Sequence, residues 1–114
     1  MDNWQTVCSA QDLVPNIGAC ASVLGEQVAI FSCTRTDSLY AISNFDPIGD
    51  ANVLSRGIIG CIDGQPYVAS PLYKQHFHLE TGACLEEPEY QLKTYPIRVM
   101  DDAVQVMLPQ GLAA

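Results

Sequence analysis

The chain has 114 residues, 48% of them hydrophobic and 16% charged, with 13 acidic against 5 basic side chains and a formal net charge of −8. This length and composition are typical of one globular domain, predicted over residues 1–114, and exclude an intrinsically disordered protein. The acidity argues against nucleic acid and against an anionic membrane surface as partners, because both bind cationic faces. No apolar run approaches the roughly 20 residues of a membrane-spanning helix, and no export signal is visible.

The cysteines are odd in number, widely spaced and never arranged as Cys-x-x-Cys; they are Cys8, Cys20, Cys33, Cys61 and Cys84. Disulfides are rare in reducing compartments, where isolated thiols commonly serve as small buried hydrophobes. The pattern therefore predicts a reduced, cytoplasmic protein. One disulfide stays possible, and the spacing does not indicate which two cysteines would form it.

The first half of the chain predicts short strands and little helix. Ser9 can begin a single helical turn that ends before Pro15, since the residue preceding a proline disfavours helical backbone. Elsewhere the apolar residues alternate at the strand period or form short β-branched runs. The strands predicted here are 4–7, 19–24, 28–31 and 39–42.

The second half of the chain contains two predicted hairpins. Asp63-Gly64 is typical of a two-residue hairpin turn, and residues 100–103 form the other turn. The strands that these turns join are 58–62 with 65–69, and 95–99 with 104–108. In the third of these strands, Tyr95, Ile97 and Val99 are predicted to share one face. Many short strands in one domain predict an all-β antiparallel sandwich or barrel.

Two segments resemble the ligand loops of a Rieske iron–sulfur domain. Residues 70–82 read Ser-Pro-Leu-Tyr-Lys-Gln-His-Phe-His-Leu-Glu-Thr-Gly, which resembles the second Rieske loop with its following strand and turn. Asn44-Phe45-Asp46 resembles the first loop, and the order of strands around both loops is similar. The resemblance implies a Rieske-like sandwich or barrel with a smaller cluster-binding subdomain, whose loops span about 44–57 and 70–76.

The resemblance is closer to one branch of this family, the small subunit of the cytoplasmic NADH-dependent nitrite reductase. The segments that carry it are 41–47, 53–57, 68–75, 95–99 and 104–106. The family implies a partner, a large subunit that carries FAD, a [4Fe–4S] cluster and sirohaem and reduces nitrite to ammonium in nitrate assimilation. The chain itself would hold no cofactor, no metal and no catalytic residue.

The resemblance places Asn44, Asp46, Ser70 and Tyr73 where Rieske domains hold iron. A Rieske centre requires two thiolates and two imidazoles, whereas these side chains offer oxygen donors that suit Mg²⁺ or Ca²⁺ better. One carboxylate among neutral oxygens is nevertheless a poor cation site. We expect these side chains to hydrogen-bond across the two loops and hold them closed, because buried polar groups normally find partners.

The two histidines of the chain, His76 and His78, lie in the second of these segments. At positions i and i+2 of a strand they project from one face and could bind a metal ion together, although two ligands alone make a weak site. The alternative is a solvated strand face opposite the inward-pointing Phe77 and Leu79, which the alternation favours.

The basic residues near the loops indicate a candidate docking surface. Four residues lie on or beside the two loops, namely Arg56, Tyr73, Lys74 and His76. The resemblance implies that the two loops form a tip of the molecule and that this tip faces a partner protein. We therefore predict that these residues contact the large subunit. The alternative is that Arg56 and Lys74 are ordinary solvated charges.

Catalysis by the chain alone has no support in its motifs, since neither a nucleophile elbow nor a phosphate-binding loop is present. The favoured interpretation is a non-catalytic subunit of an NADH-dependent nitrite reductase. A Rieske-type ferredoxin that carries electrons is one alternative. A free-standing binding module that uses the vacated cluster pocket is another.

Overall fold

The computed structural model describes residues 4–72 and 74–107, and within them the chain is all-β. Two single-turn 3-10 helices, η1 (Ala10–Asp12) and η2 (Leu54–Arg56), accompany the strands. Residues 4–72 and 74–107 contain no helix that could span a membrane. The strands are β1 (Trp4–Ser9), β2 (Ala19–Val23), β3 (Glu26–Cys33), β4 (Ser38–Ser43), β5 (Phe45–Asp46), β6 (Ala51–Asn52), β7 (Ile58–Ile62), β8 (Gln65–Ala69), β9 (His76–His78), β10 (Thr94–Tyr95), β11 (Ile97–Met100) and β12 (Ala103–Met107).

The central layer is a four-stranded sheet in the order β10-β4-β3-β2. Its strand β3 is buried on both faces, which explains why it reads Val-Ala-Ile-Phe without polar alternation. Val28 and Ile30 pack in one hydrophobic core, whereas Ala29 and Phe31 pack in the other. The central sheet thus contributes to two cores, because successive residues of a strand point to opposite faces.

The first core lies between the central sheet and the three-stranded sheet β1-β12-β11. Val106 of β12 is fully buried there with Val28, Ile30 and Ala41 of the central sheet. β1 pairs antiparallel with β12, so the beginning and the end of the described chain are held in one sheet. These two sheets form the sandwich that the all-β prediction requires.

The second core lies between the central sheet and the three-stranded sheet β7-β8-β9. Val68 and Phe77 occupy neighbouring positions in the register of that sheet and are fully buried with Phe31 and with Leu54 of η2. This sheet and the two-stranded β5-β6 form the smaller subdomain. The fold confirms the predicted all-β architecture with a smaller subdomain, and it brings the loop after β4 against the loop after β8.

Local predictions hold where the signal is confined to neighbouring residues. The strands around Asp63-Gly64 have the predicted bounds. Ser9 caps the predicted helical turn, since its Oγ accepts from the Gln11 N–H at 3.2 Å and the Asp12 carboxylate accepts from the Ser9 N–H at 3.3 Å. The turn is 3-10 and ends at Asp12, earlier than predicted.

The predicted strand 95–99 is wrong, because the chain changes sheets at Pro96. Tyr95 pairs with Ala41 of the central sheet, whereas Ile97 pairs with Val106 of the neighbouring sheet. Proline has no N–H for a ladder, so it marks the crossing point. As a result Tyr95 is buried and Val99 is exposed, and the two do not share a face.

Candidate functional site

Asn44 anchors the first loop and is 2% exposed. Its Nδ2 donates to Gln27 Oε1 at 3.1 Å and to Cys20 Sγ at 3.4 Å, and its Oδ1 accepts from the Ser55 N–H at 2.7 Å. Its backbone N–H donates to the carbonyl of Gln27, and its carbonyl accepts from the Leu54 N–H. The polar groups of Asn44 therefore fasten the end of β4 to β2, β3 and η2.

Asp46 joins the two loops and is fully buried. Its Oδ1 accepts from the backbone N–H groups of Ile48 at 2.9 Å and Gly49 at 3.1 Å, and its Oδ2 accepts from the Ser70 hydroxyl in the second loop. A buried carboxylate requires such donors, because burial without them is strongly unfavourable. A side chain on Gly49 would overlap with Leu72, so the loops are packed together as well as hydrogen-bonded.

The second loop turns tightly around Ser70, which is 1% exposed. Its Oγ donates to Asp46 and accepts from the Leu72 N–H at 3.3 Å. Its backbone N–H donates to the Gln75 carbonyl at 2.9 Å, and its carbonyl accepts from the Lys74 N–H at 3.0 Å. The hydroxyl and the backbone of one residue thus close this turn and attach it to the first loop.

The donor chemistry of the two loops does not fit a Rieske centre. A Rieske centre takes thiolates and imidazoles, whereas the described residues at the corresponding positions present an amide, a carboxylate and a hydroxyl that are bonded within the protein. The predicted hydrogen bonding across the loops is confirmed for Asp46 and Ser70, while Asn44 is bonded to Gln27 instead. Tyr73 lies outside the described residues. Across 4–72 and 74–107, no three His, Cys, Asp or Glu side chains are grouped so that they could hold a metal ion.

His76 and His78 project from one face of β9, opposite the buried Phe77, as predicted. The Nδ1 of His76 lies 2.6 Å from Glu86 Oε2, and the His76 N–H donates to Glu86 Oε1 at 2.8 Å. The Nε2 of His78 lies 2.8 Å from Gln65 Oε1. The two rings have separate protein partners, which favours a solvated strand face over a shared metal site.

Glu86 is a member of this site that sequence reasoning missed. Burial by itself would raise the pKa of Glu86, but the hydrogen bonds from the backbone and ring of His76 outweigh burial and hold that pKa below its usual value. The pairing depends on a turn at Gly82, whose φ of 80° is left-handed, and on the Leu85 N–H, which donates to the His76 carbonyl at 2.8 Å. The turn at Thr81-Gly82 could be predicted from the sequence. It does not indicate which of the carboxylates that follow would contact His76.

The predicted basic residues lie on either side of the segment that ends β8. Arg56 ends η2, and the glycine after it packs on the carbonyl of Ala69. Lys74 follows the turn that its N–H closes on Ser70, and His76 pairs with Ala69 in the sheet register. Arg56 and Lys74 are exposed, and neither forms an ion pair with a described residue. The structure therefore leaves both charges available to solvent or to a partner.

All five cysteines are free thiols. Cys33 and Cys84 are buried in the second core, as expected for small hydrophobic side chains. Cys8 and Cys61 are only half-buried and Cys20 is exposed, so the expectation that most of the thiols are buried is wrong. Burial raises the pKa of the Cys84 thiol. Burial would also raise the pKa of the Cys33 thiol, but hydrogen bonds from Thr36 and Arg35 outweigh it and hold that pKa below its usual value.

Known proteins resemble this chain over nearly its whole length. The Rieske-like [2Fe-2S] domain family matches residues 3–107. The nitrite reductase (NADH) small subunit of Salmonella typhimurium is 47% identical over 106 residues, which are 93% of this chain and 98% of that protein. The NMR structure of the Escherichia coli protein NirD superimposes with a TM-score of 0.85 at 44% identity and covers 94% of this chain and 97% of that one.

A further relative is a much longer protein. The nitrite reductase [NAD(P)H] large subunit of Klebsiella oxytoca is 39% identical over 111 residues, which are 96% of this chain but 11% of that protein. A counterpart of the whole chain is therefore part of a large-subunit polypeptide in that organism. The chain belongs to the Rieske-like [2Fe-2S] domain family and, within it, to the small subunits of NADH-dependent nitrite reductase.

Proposed function

We propose that this chain is a non-catalytic subunit that binds the large subunit of a cytoplasmic, assimilatory NADH-dependent nitrite reductase. Full-length similarity to small subunits supports this function, and so does the Klebsiella relative, in which the corresponding domain and a large subunit share one polypeptide. By the family resemblance, the large subunit supplies FAD, a [4Fe–4S] cluster and sirohaem and reduces nitrite to ammonium.

The observation that carries the non-catalytic role is the closed contact between the two loops. Asp46 and Ser70 are buried, and the Ser70 hydroxyl donates to Asp46 Oδ2. Asp46 Oδ1 accepts two backbone N–H groups of its own loop, and the same Ser70 hydroxyl accepts the Leu72 N–H of the second loop. A side chain committed in this way is not free to bind a cofactor or substrate. The tip therefore contributes a fixed shape and surface to the complex, rather than a redox group.

The proposed contact with the large subunit includes the tip residues Arg56, Tyr73, Lys74 and His76. Two of the five basic residues of an acidic chain flank the segment 69–70, without an ion pair to a described residue. A partner with carboxylates at this position would be attracted locally, whereas the remaining surface would repel it. This pattern supports a directed approach of the tip to the large subunit.

The test of the role is NADH-dependent nitrite reduction by the cofactor-loaded large subunit with and without this chain. We expect activity, or the half-life of activity, to rise on addition of the chain. We also expect the chain, purified without oxygen, to show no [2Fe–2S] absorption bands. Activity that is indifferent to the chain would remove the proposed function, and [2Fe–2S] bands would replace it with electron transfer.

The test of the tip compares two double variants of equal charge. Arg56→Ala with Lys74→Ala removes the two tip charges, and Arg35→Ala with Lys93→Ala removes two exposed charges elsewhere. We expect the tip variant alone to bind the large subunit more weakly and to lose part of the salt dependence of association. Equal affinity of the two variants would show that Arg56 and Lys74 are ordinary solvated charges.

A further inference from the structure

The outer face of the sheet β7-β8-β9 exposes a grouped apolar surface along β7, although the chain as a whole is acidic and the β9 edge of this face carries His76 and His78. Its rows, read across the strand register, are Ile58–Ala69–His76, Gly60–Tyr67–His78 and Ile62–Gln65. None of these side chains is a carboxylate. Ile58 is 79% exposed and Ile62 is 37% exposed, so two large apolar side chains of β7 face solvent instead of the core. A grouped apolar surface of this kind is typical of a protein–protein contact.

A notch at Gly60 lies in the middle of this outer face. A Cβ placed on Gly60 would meet no atom within 4 Å, and a groove of about 260 Å³ runs past it between Ile58, Ile62 and Tyr67. The ring of Tyr67, which forms one wall of the groove, packs edge-to-face against the ring of His78, with the ring centres 5.0 Å apart. This contact holds the Tyr67 wall in place.

No packing requirement of the free chain explains this glycine. Gly60 has no left-handed φ to accommodate, and a side chain there would clash with nothing. Glycine inside a strand weakens the strand, and it often marks a place where another backbone or ligand approaches closely. The notch therefore indicates a partner that comes close to the sheet at this point.

We infer that the outer face is a second part of the docking surface for the large subunit, which inserts an apolar side chain into the notch above Gly60. This inference rests on the proposed function for the identity of the partner. The outer face continues directly into the proposed tip, because only Gly57 separates Arg56 from β7 and because Ala69, the last residue of β8, precedes Ser70. Arg56 and Lys74 would form a cationic rim beside the apolar centre. The matching surface of the large subunit is accordingly apolar with carboxylates at its edge.

The test uses substitutions that alter the outer face without disturbing the core. Gly60→Val fills the notch, and Ile58→Glu places a charge beside it. Their matched controls are Ser22→Val at an exposed position of β2 and Val99→Glu on β11, where Val99 is 49% exposed. Urea unfolding is measured first, and Gly60→Val is expected to be at least as stable as the unmodified chain because valine favours strands.

Affinity for the purified, cofactor-loaded large subunit is then measured for all four variants. We expect Gly60→Val and Ile58→Glu to weaken binding by about tenfold or more, and the controls to bind as the unmodified chain does. Unchanged binding by both face variants would overturn the inference and leave the proposed function intact, whereas failure of the unmodified chain to bind would remove the proposed function itself. Light scattering of the chain alone tests whether a second copy of this chain, instead of the large subunit, binds to the outer face. A dimer that Ile58→Glu dissociates, with large-subunit affinity unchanged, would assign the outer face to a second copy and overturn the inference.

Discussion

At the scale of single residues, the tip is held by buried polar groups that satisfy one another. Asp46 takes two backbone donors from its own loop and one hydroxyl from the other loop. Removal of both partners of such a hydrogen bond changes the free energy of unfolding little. Removal of one partner lowers it much more, because the other partner is left buried and unpaired. Removal of one member of the pair is therefore the informative change.

We predict that Asp46→Ala lowers the free energy of unfolding by about 3 kcal/mol and Ser70→Ala by about 1–2 kcal/mol, because the first leaves three donors unpaired and the second leaves one carboxylate oxygen short of a donor. Urea unfolding measures both values. Glu89→Ala is the control, since it removes an exposed carboxylate of the same charge. Stability of Asp46→Ala equal to that of the control would show that the contact between the loops does not hold the tip.

The contact of Glu86 with His76 predicts a dependence on pH. The pKa of Glu86 in the folded chain lies below its usual value of 4.5, so ionised Glu86 stabilises the fold above that pH, and the stabilisation is lost as the pH falls through the lowered pKa. Glu86→Gln should therefore melt at a lower temperature than the unmodified chain at about pH 7, and the difference should shrink towards about pH 3. Glu89→Gln, which removes an exposed carboxylate without such a contact, is the control. A difference that grows in acid would contradict the assignment.

At the scale of elements, the tight turns depend on left-handed residues. Asp63 and Gly64 have φ values of 51° and 79°, the pattern of the two-residue turn that suits the twist of a hairpin. Gly60 lies in the same hairpin with no left-handed φ. The two glycines therefore differ in backbone conformation, although both would leave an added Cβ in open space.

We predict opposite effects of the same substitution at these two glycines. Gly64→Ala should destabilise the chain by about 1 kcal/mol, because a left-handed backbone disfavours any Cβ. Gly60→Ala should stabilise it by about 0.5 kcal/mol, because alanine restricts the unfolded chain without strain in the strand. Thermal unfolding of the two variants provides the measurement. Equal shifts of the same sign would contradict the backbone argument.

At the scale of the whole molecule, the central sheet couples the sandwich to the tip subdomain. β3 contributes Val28 and Ile30 to the first core and Phe31 to the second. A strand that is buried on both faces cannot lose one core while it keeps the other intact. We therefore expect the two parts of the molecule to unfold together.

The prediction is that Phe31→Ala lowers the stability of both parts by the same amount, about 3–5 kcal/mol. The fluorescence of Trp4 in β1 reports on the sandwich. The NMR signal of the backbone amide of Val68 in β8 reports on the tip subdomain. Their unfolding curves in urea should coincide in the unmodified chain and in the variant. Loss of the Val68 signal at a lower urea concentration than the Trp4 signal would show that the tip unfolds by itself.

Prediction from sequence succeeded where neighbouring residues carry the signal. The hairpin at Asp63-Gly64 and the cap at Ser9 follow from local turn chemistry, and strand β3 follows from its short apolar run. The prediction of one continuous strand through Pro96 was wrong. Alternation indicates which side of a strand a residue faces, but it does not indicate which sheet the strand joins. The sharing of one face by His76 and His78 was predictable for the same local reason, whereas their partners were not.

Local pattern was sufficient to predict an all-β chain, and the resemblance to Rieske ligand loops pointed to two loops whose residue types do not suit iron–sulfur ligation. The packing of the sheets was needed to show that Asp46 reaches Ser70, that Glu86 reaches His76, and that the outer face around Gly60 is open. The physical reason is that strand periodicity and turn residues act over a few positions, whereas each of these features brings together or exposes groups from separate strands and loops. Their positions are set by how the sheets pack on the two cores.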